Sequence, residues 1–232
     1  DAMTLDELFD DLTYGELSQL NLGGADTQGV TVDNRPHVVS LINRGLEVLH
    51  RRFLLKRGRL TVPLVEGQEE YPLASETLPF VRVEHVEWPE GFSSDVIPPR
   101  GQRPALPLND EGAELSLFTP NHRTLRVPKA IWDYGARELT VVYRGGHKRI
   151  DKEESAFSPE FIEVDLPEAF REPLLFYVAS LVFNPVGFGV EGSHEGNNYA
   201  QKFEMACQQL ETSGWDHGTM LERTSFRQRG FV

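Results

Sequence analysis

Apolar residues recur at helical spacing in four stretches of the chain and alternate with polar ones in a block between the second and third. Residues 4–20 predict a first helix, in which Leu5, Leu8, Phe9 and Leu12 form a stripe and Thr4 and Glu7 have capping-box spacing. A Gly-rich connection over 21–33 leads to a second helix. Asn34 can cap it, and Pro36 falls near its first turn, where a missing N–H costs little. Val38, Leu41, Ile42, Gly45, Leu49 and Phe53 recur along it, and Gly58 reads as its stop. A third helix is expected from near Pro167, with Phe170, Leu174, Val178, Leu181 and Val182 on a broad apolar face. Asn184-Pro185 and the glycines at 187, 189 and 192 end it. The fourth, over 198–211, carries Tyr199, Phe203, Ala206, Cys207 and Leu210 on one side, with Gly214 following.

The period changes in the middle. Residues 59–64 alternate, 66–68 form a turn, and 80–88 alternate over most of a strand. Val81, Val83 and Val86 cannot share one face at strict period two, which predicts a bulge near His85. The Pro-, Gly- and charge-rich residues 89–113 exclude a regular element; 114–118, 124–127 and 138–143 read as short strands, and 161–166 as extended. Strands enclosed by helices, without βαβ alternation, predict an α+β fold. Its expected form is an antiparallel bundle of about four helices, residues 1–58 and 151–214, with residues 59–150 as an inserted small antiparallel β domain. Residues 215–232 have scattered apolar positions and no period, and read as an extended, flexible C-terminal arm that a partner orders.

At 232 residues, 39% hydrophobic and 10% aromatic, the chain can bury a core, so the bulk is not disordered. The lone Cys207 excludes an intrachain disulfide and reads as packing on a helix face. The apolar run over 174–183 is far below the ~20 residues that span a bilayer. A soluble protein of a reducing compartment is the expectation.

The net charge of −13 disfavours nonspecific nucleic-acid binding, and its distribution is informative. Residues 1–34 carry eight acids (Asp1, Asp6, Glu7, Asp10, Asp11, Glu16, Asp26, Asp33) and no Lys or Arg. Residues 51–59 carry five bases, Arg51, Arg52, Lys56, Arg57 and Arg59, and no acid. Two readings stand side by side: cations favoured at a helix C-terminus, and an intersubunit charge patch of Arg51, Arg52, Lys56 and Arg57 that sets register between neighbouring copies.

Catalytic spacing is not evident. Gly145-Gly146-His147-Lys148 lacks the full phosphate-loop pattern and reads as a tight turn after a strand. Glu191, His194 and Glu195 lie close together without a second histidine at ligand spacing, and the other histidines are dispersed. Trp88 and Trp132 are placed in the β core in preference to a sugar groove. No catalytic residue, metal or cofactor is expected, and the chain is read as not an enzyme. The alternatives are a tail-associated polysaccharide or peptidoglycan hydrolase using unplaced carboxylates, or a carbohydrate-binding module.

Three stretches resemble a known family: "LINRGLEVLHRRFLLKRGRLTVPLVEGQEEYPL", "ELTVVYRGGHKRI" and "VDLPEAFREPLLFYVASLVFNPVGF...NNYAQKFEMACQQLE". In content and order they are similar to the head-to-tail connector (adaptor) proteins of tailed bacteriophages, of the tail tubular protein A type, over roughly two thirds of the chain. The Pro-rich residues 89–112 and the acidic first helix are less typical of that family. The resemblance implies a structural virion protein at the head–tail junction, present in the host cytoplasm during assembly. It implies a homo-oligomeric ring, a dodecamer when assembled, that binds the portal protein, meets a tail or nozzle protein and continues the DNA channel. Genomic DNA would pass through the lumen without specific binding, and no membrane is involved. The arm would then dock on the portal through Phe226 and Phe231, flanked by Arg227 and Arg229.

Overall fold

The computed structural model describes residues 3–16, 29–90, 92, 105–183 and 193–215. Its elements in chain order begin with β1 (Met3–Thr4), α1 (Leu5–Asp11), α2 (Arg35–Arg52), β2 (Lys56–Pro63), β3 (Glu70–Pro72) and β4 (Phe80–Val86). They continue with β5 (Phe118–Asn121), β6 (Thr124–Arg126), α3 (Lys129–Asp133) and β7 (Glu138–Gly145). The last are α4 (Lys152–Phe157), β8 (Glu163–Val164), α5 (Arg171–Phe183) and α6 (Ser193–Thr212). Helices and antiparallel sheets together make this a mixed α+β protein. The chain divides into two compact units. One takes residues up to Phe53 and again from His147; the other holds Leu54–Gly146.

In the first unit the apolar stripes of α1 and α2 are buried, and those of α5 and α6 are buried in part. Phe170, Leu174, Val178, Cys207 and Leu210 are covered, while Leu181, Val182, Tyr199, Phe203 and Ala206 are partly exposed. Leu5, Leu8, Phe9 and Leu12 are covered, and the Thr4–Glu7 capping box forms in both directions. The first helix ends at Asp11, well short of residue 20, in a wider π-type turn over Leu12–Glu16. The Thr13 hydroxyl donates to Phe9 O at 2.7 Å and accepts from Val30 N at 3.1 Å, which turns the chain there. Asn34 does cap α2, but its side chain serves the preceding turn: Oδ1 accepts from Thr31 N and Nδ2 donates to Gly29 O. Helix α5 packs against both α2 and α6. A Cβ on Gly45 would stand 2.5 Å from Leu174 Cδ1 and 3.2 Å from Tyr177 Cδ1, so a side chain there would have to displace the buried Leu174 side chain.

Two devices close this unit across long sequence separations. β1 pairs antiparallel with β8, Met3 opposite Val164. Asn43 on α2 donates to Ile150 O and accepts from Ile150 N, both at 2.9 Å, so one side chain replaces a strand partner for the returning chain. Phe170 then stacks edge-on between Phe53 and Trp215 at 4.9 Å from each. Cys207 is buried on α6, and burial pushes its thiol up to about 11, so it remains protonated and inert at neutral pH.

The second unit holds two three-stranded antiparallel sheets, ordered β2-β7-β4 and β3-β6-β5. Helix α2 stops at Arg52 and Phe53 is already extended, so Gly58 lies within β2 and does not end a helix. It faces Tyr143 on β7, whose ring occupies the space a Cβ would need. The strand expected at 114–118 is displaced to Phe118–Asn121. Asp110 N donates to Ser116 Oγ and Asn109 adopts a positive φ of 55°, which bends the preceding residues into a turn. Residues 161–166 are extended only at β8, preceded by a 3-10 turn over Pro159–Phe161. The short helices α3 and α4 were not expected; Asp151 caps α4 by accepting from Glu153 N and Glu154 N. The bulge anticipated near His85 is present, with a second one between Phe80 and Arg82.

Gly45→Val is expected to lower stability by about 1–3 kcal/mol, the range for overpacking a well-filled contact. A lower urea midpoint with an unchanged slope will verify it.

Candidate functional site

The basic run at 51–59 crosses from the end of α2 into β2, and the structure gives its members different work. Arg51 is exposed and bonds Glu47, one turn back, at 2.5 Å, a pair worth a few tenths of a kcal/mol. Arg52 makes a fork: two bonds of 2.7 Å to the Glu204 carboxylate and bonds of 2.9 and 2.6 Å to Glu211 Oε1. Those glutamates lie about two turns apart on α6, on the same side, so one guanidinium reaches both. The hydrogen bonds that Arg52 donates, first to Glu204 and then to Glu211, raise its pKa against the cost of burial. Arg52 therefore cross-links α2 to α6 within the chain. Lys56 and Arg57 open β2; the former is half-buried and the latter exposed.

Register places Arg57 opposite Arg144 on β7, and Arg144 opposite Arg82 on β4, so three arginines lie in one row across the sheet. Like charges in directly opposed positions repel. Glu84, the extra residue of the second bulge, turns into this row: its Oε1 accepts from Arg144 Nε at 2.8 Å and from Arg82 Nε at 3.2 Å. Arg144 and Glu84 are 1% and 2% exposed, while Arg57, Arg59 and Arg82 reach solvent. Arg59 pairs with Glu87 at 3.0 Å. Burial lowers the Arg144 pKa, Glu84 opposes that, and Arg82 and Arg57 add to it. Burial likewise holds the His85 imidazole below its ordinary value, so this residue adds no positive charge at neutral pH. The face is cationic because of its arginines alone.

The other expected residues divide between the described and the undescribed. The docking residues Phe226, Arg227, Arg229 and Phe231 lie outside the described residues, as do Glu191, His217 and the side chains of His194 and Glu195. Gly145 and Gly146 form a close passage: Leu78 fills the space beside Gly145, and Gly146 N donates to Pro79 O at 2.8 Å. Trp88 packs with Phe92 against the β core, and Trp132 lies under the Arg137 guanidinium at 3.9 Å. Two histidines far apart in sequence, His50 and His147, meet edge to face at 5.6 Å. His147 Nδ1 faces Lys148 O and must carry the proton, leaving Nε2 to accept from Asp165 N at 3.0 Å. Among the described residues no group of three or more His, Cys, Asp or Glu side chains could hold a metal ion, and no helix is long and apolar enough to cross a membrane.

Sequence reasoning missed two features. The arginine row depends on register and on two bulges. Phe157 and Phe161 stand 84% and 81% exposed in an acidic setting, although Phe161 was expected within an extended strand. The run Ser155-Ala156-Phe157-Ser158-Pro159-Glu160-Phe161, with aromatics on either side of a Pro turn, was the available signal. No known protein-family model matches the chain, and a search of the curated proteins finds no relative.

Two outcomes follow for solution stability. Arg52→Ala is expected to cost about 1 kcal/mol at low salt, because its partners are only partly buried. Added salt should shrink the difference from wild type in parallel urea titrations. For His85 the folded pKa lies below the unfolded one, so its contribution is present above the unfolded value near 6.5 and is lost as pH falls toward the folded pKa. His85→Gln should therefore flatten part of the decline in unfolding free energy between neutral and mildly acidic pH, measured against wild type.

Proposed function

We propose that this chain is a ring-forming head-to-tail connector of a tailed bacteriophage, a structural protein that joins the portal vertex to the tail and performs no catalytic step. The observation that carries the reading is the layout of the chain. Segments from both halves of the sequence make one helical unit, and an antiparallel β unit is inserted between them. That is the arrangement the three family-like stretches imply, and each lies on an element of the matching kind: α2 into β2, β7, and α5 with α6. In this reading the helices complete an antiparallel bundle of about four members that forms the wall of a twelve-membered ring.

Function here is assembly. Each copy presents two different surfaces, one to each neighbour, and such a heterologous contact closes into a ring when its rotation divides the circle. The acidic balance of −13 suits a conduit, because a negative lumen repels phosphates and lets a genome slide. Residues 219–232 are assigned to the portal, with Phe226 and Phe231 as anchors and Arg227 and Arg229 as a charged flank. Of the basic run, Arg57 is the member best suited to a neighbouring copy, since Arg51 and Arg52 have carboxylate partners on their own chain.

Mixing the purified chain with the portal ring of the same genome and imaging the product by electron microscopy tests the reading. A ring of added density beneath the portal is the expected result. Deleting residues 219–232 should leave the circular dichroism spectrum and unfolding midpoint intact and abolish that density. A folded chain that adds no density would overturn the connector assignment.

A further inference from the structure

Phe157 and Phe161 end two consecutive turns, α4 and the 3-10 turn Pro159–Phe161, and both side chains face water. The backbone that carries them is fixed from within the helical unit. Ser155 and Pro159 are buried, and Asp151 caps α4. Arg35 on α2 donates to Ala156 O at 2.9 Å, and Ile162 O accepts from Leu5 N at 2.9 Å. This ledge is ordered before it meets a partner, which removes one cost of binding. Its charge is one-sided. Over residues 151–163 the exposed acids Asp151, Glu153, Glu154, Glu160 and Glu163 stand against one base, Lys152. None of those four glutamates forms an ion pair among the described residues.

An occupant of the ledge must therefore combine positive charge with groups that pack on phenyl rings. Two such rings bury roughly 300–500 Å². That is below the ~1,000 Å² of a stable interface between folded faces, so a short segment fits the ledge better than a second domain. Arginine and phenylalanine are its complement: a guanidinium pairs with carboxylates and lies over aromatic faces, and rings pack on rings. Residues 219–232 have that composition, with Arg223, Arg227 and Arg229 against Glu222, and with Phe226 and Phe231. The other long stretches outside the described residues do not. Residues 17–28 and 184–192 contain no Lys or Arg, and residues 93–104 contain no aromatic. Resting on the connector reading, we infer that the Phe157–Phe161 ledge of one copy receives residues 219–232 of another copy. Segment and ledge are unlike, so every copy can give one and receive one, and the contact propagates from copy to copy. The same residues are assigned to the portal, so ledge and portal are alternative seats for them. The ledge holds copies together until a portal is met.

The test uses two full-length variants, with folding verified by circular dichroism and urea unfolding. Phe157→Ser/Phe161→Ser/Glu154→Lys spoils the ledge, and Phe226→Ser/Arg227→Glu/Arg229→Glu spoils the segment. In sedimentation at high protein concentration each alone should be monomeric where wild type associates. Their equimolar mixture should form pairs and stop there, because one chain keeps only a working segment and the other only a working ledge. A synthetic peptide of residues 219–232 should bind the segment-defective chain, with fluorescence anisotropy as the readout. Its binding should be at least tenfold weaker to the ledge-defective chain and should weaken with added salt. In excess, the same peptide should return wild type to monomers, an arm that needs no variant. The contact is overturned by a wild-type chain that stays monomeric at millimolar concentration, or by one whose association the peptide leaves unchanged. Either variant associating like wild type, a mixture that stays monomeric, or equal peptide binding to the two variants overturns it as well. No portal is present in this experiment, so its failure and that of the connector assignment are read separately.

Discussion

The antiparallel pairing of β2 with β7 is the constraint on which the layout rests. An inserted segment usually imposes a loop-closure cost on the unit it interrupts. Here the strand that leaves and the strand that returns are paired along their whole length, Lys56 opposite Gly145 at one end and Pro63 opposite Glu138 at the other. The β unit therefore brings its own ends together. The helical unit is left with a connection that behaves as if short, and Asn43 needs only to hold Ile150 to bring the chain back onto α2. Gly58 belongs to the same constraint, since the Tyr143 ring fits beside the strand only where no side chain stands.

Arginines do much of the long-range tying in a chain that is strongly acidic. Arg52 gathers Glu204 and Glu211; Arg171 gathers Glu7, Asp11 and Glu168; and Arg35 reaches Ala156 O while lying over the Phe9 ring at 5.6 Å. Each joins segments that no local propensity would bring together. Arg52 and Arg171 also neutralise repulsion among the carboxylates they gather, which matters in a chain of net charge −13. The acidic first helix is in this sense partly an internal counter-charge, since Glu7 and Asp11 turn to Arg171.

Much of the secondary structure was legible because burial follows period. The stripes on α1, α2, α5 and α6, the capping box and the irregularity near His85 could all be read from spacing. What failed depended on tertiary partners. The first helix stopped early because Thr13 found Val30, and Gly58 looked like a helix stop because its reason for being glycine, Tyr143, lies far along the chain. The candidate surfaces were less legible still. A basic run of five residues, four of which (Arg51, Arg52, Lys56 and Arg57) were candidates for an intersubunit patch, divides into an internal cross-link at Arg52 and an outward pair at Arg57 and Arg59, and only register reveals that Arg82 and Arg144 lie in the same row as Arg57. Phe161 read only as the start of an extended stretch and Phe157 drew no reading, so the exposure of both was not foreseen.

Strand β4 carries two bulges in seven residues, and these change its phase. A regular strand would put Phe80, Arg82, Glu84 and Val86 on one side. With one extra residue at each bulge, the core side holds Phe80, Val83 and Val86, a repeat of three in place of two. Its opposite side collects Arg82, Glu84 and His85. The strand therefore behaves like a frame-sensitive message. Removing one residue from it would send arginine toward the core and valine to the surface, whereas many point substitutions would leave the frame intact. Among related chains, β4 should vary in residue type far more readily than in length.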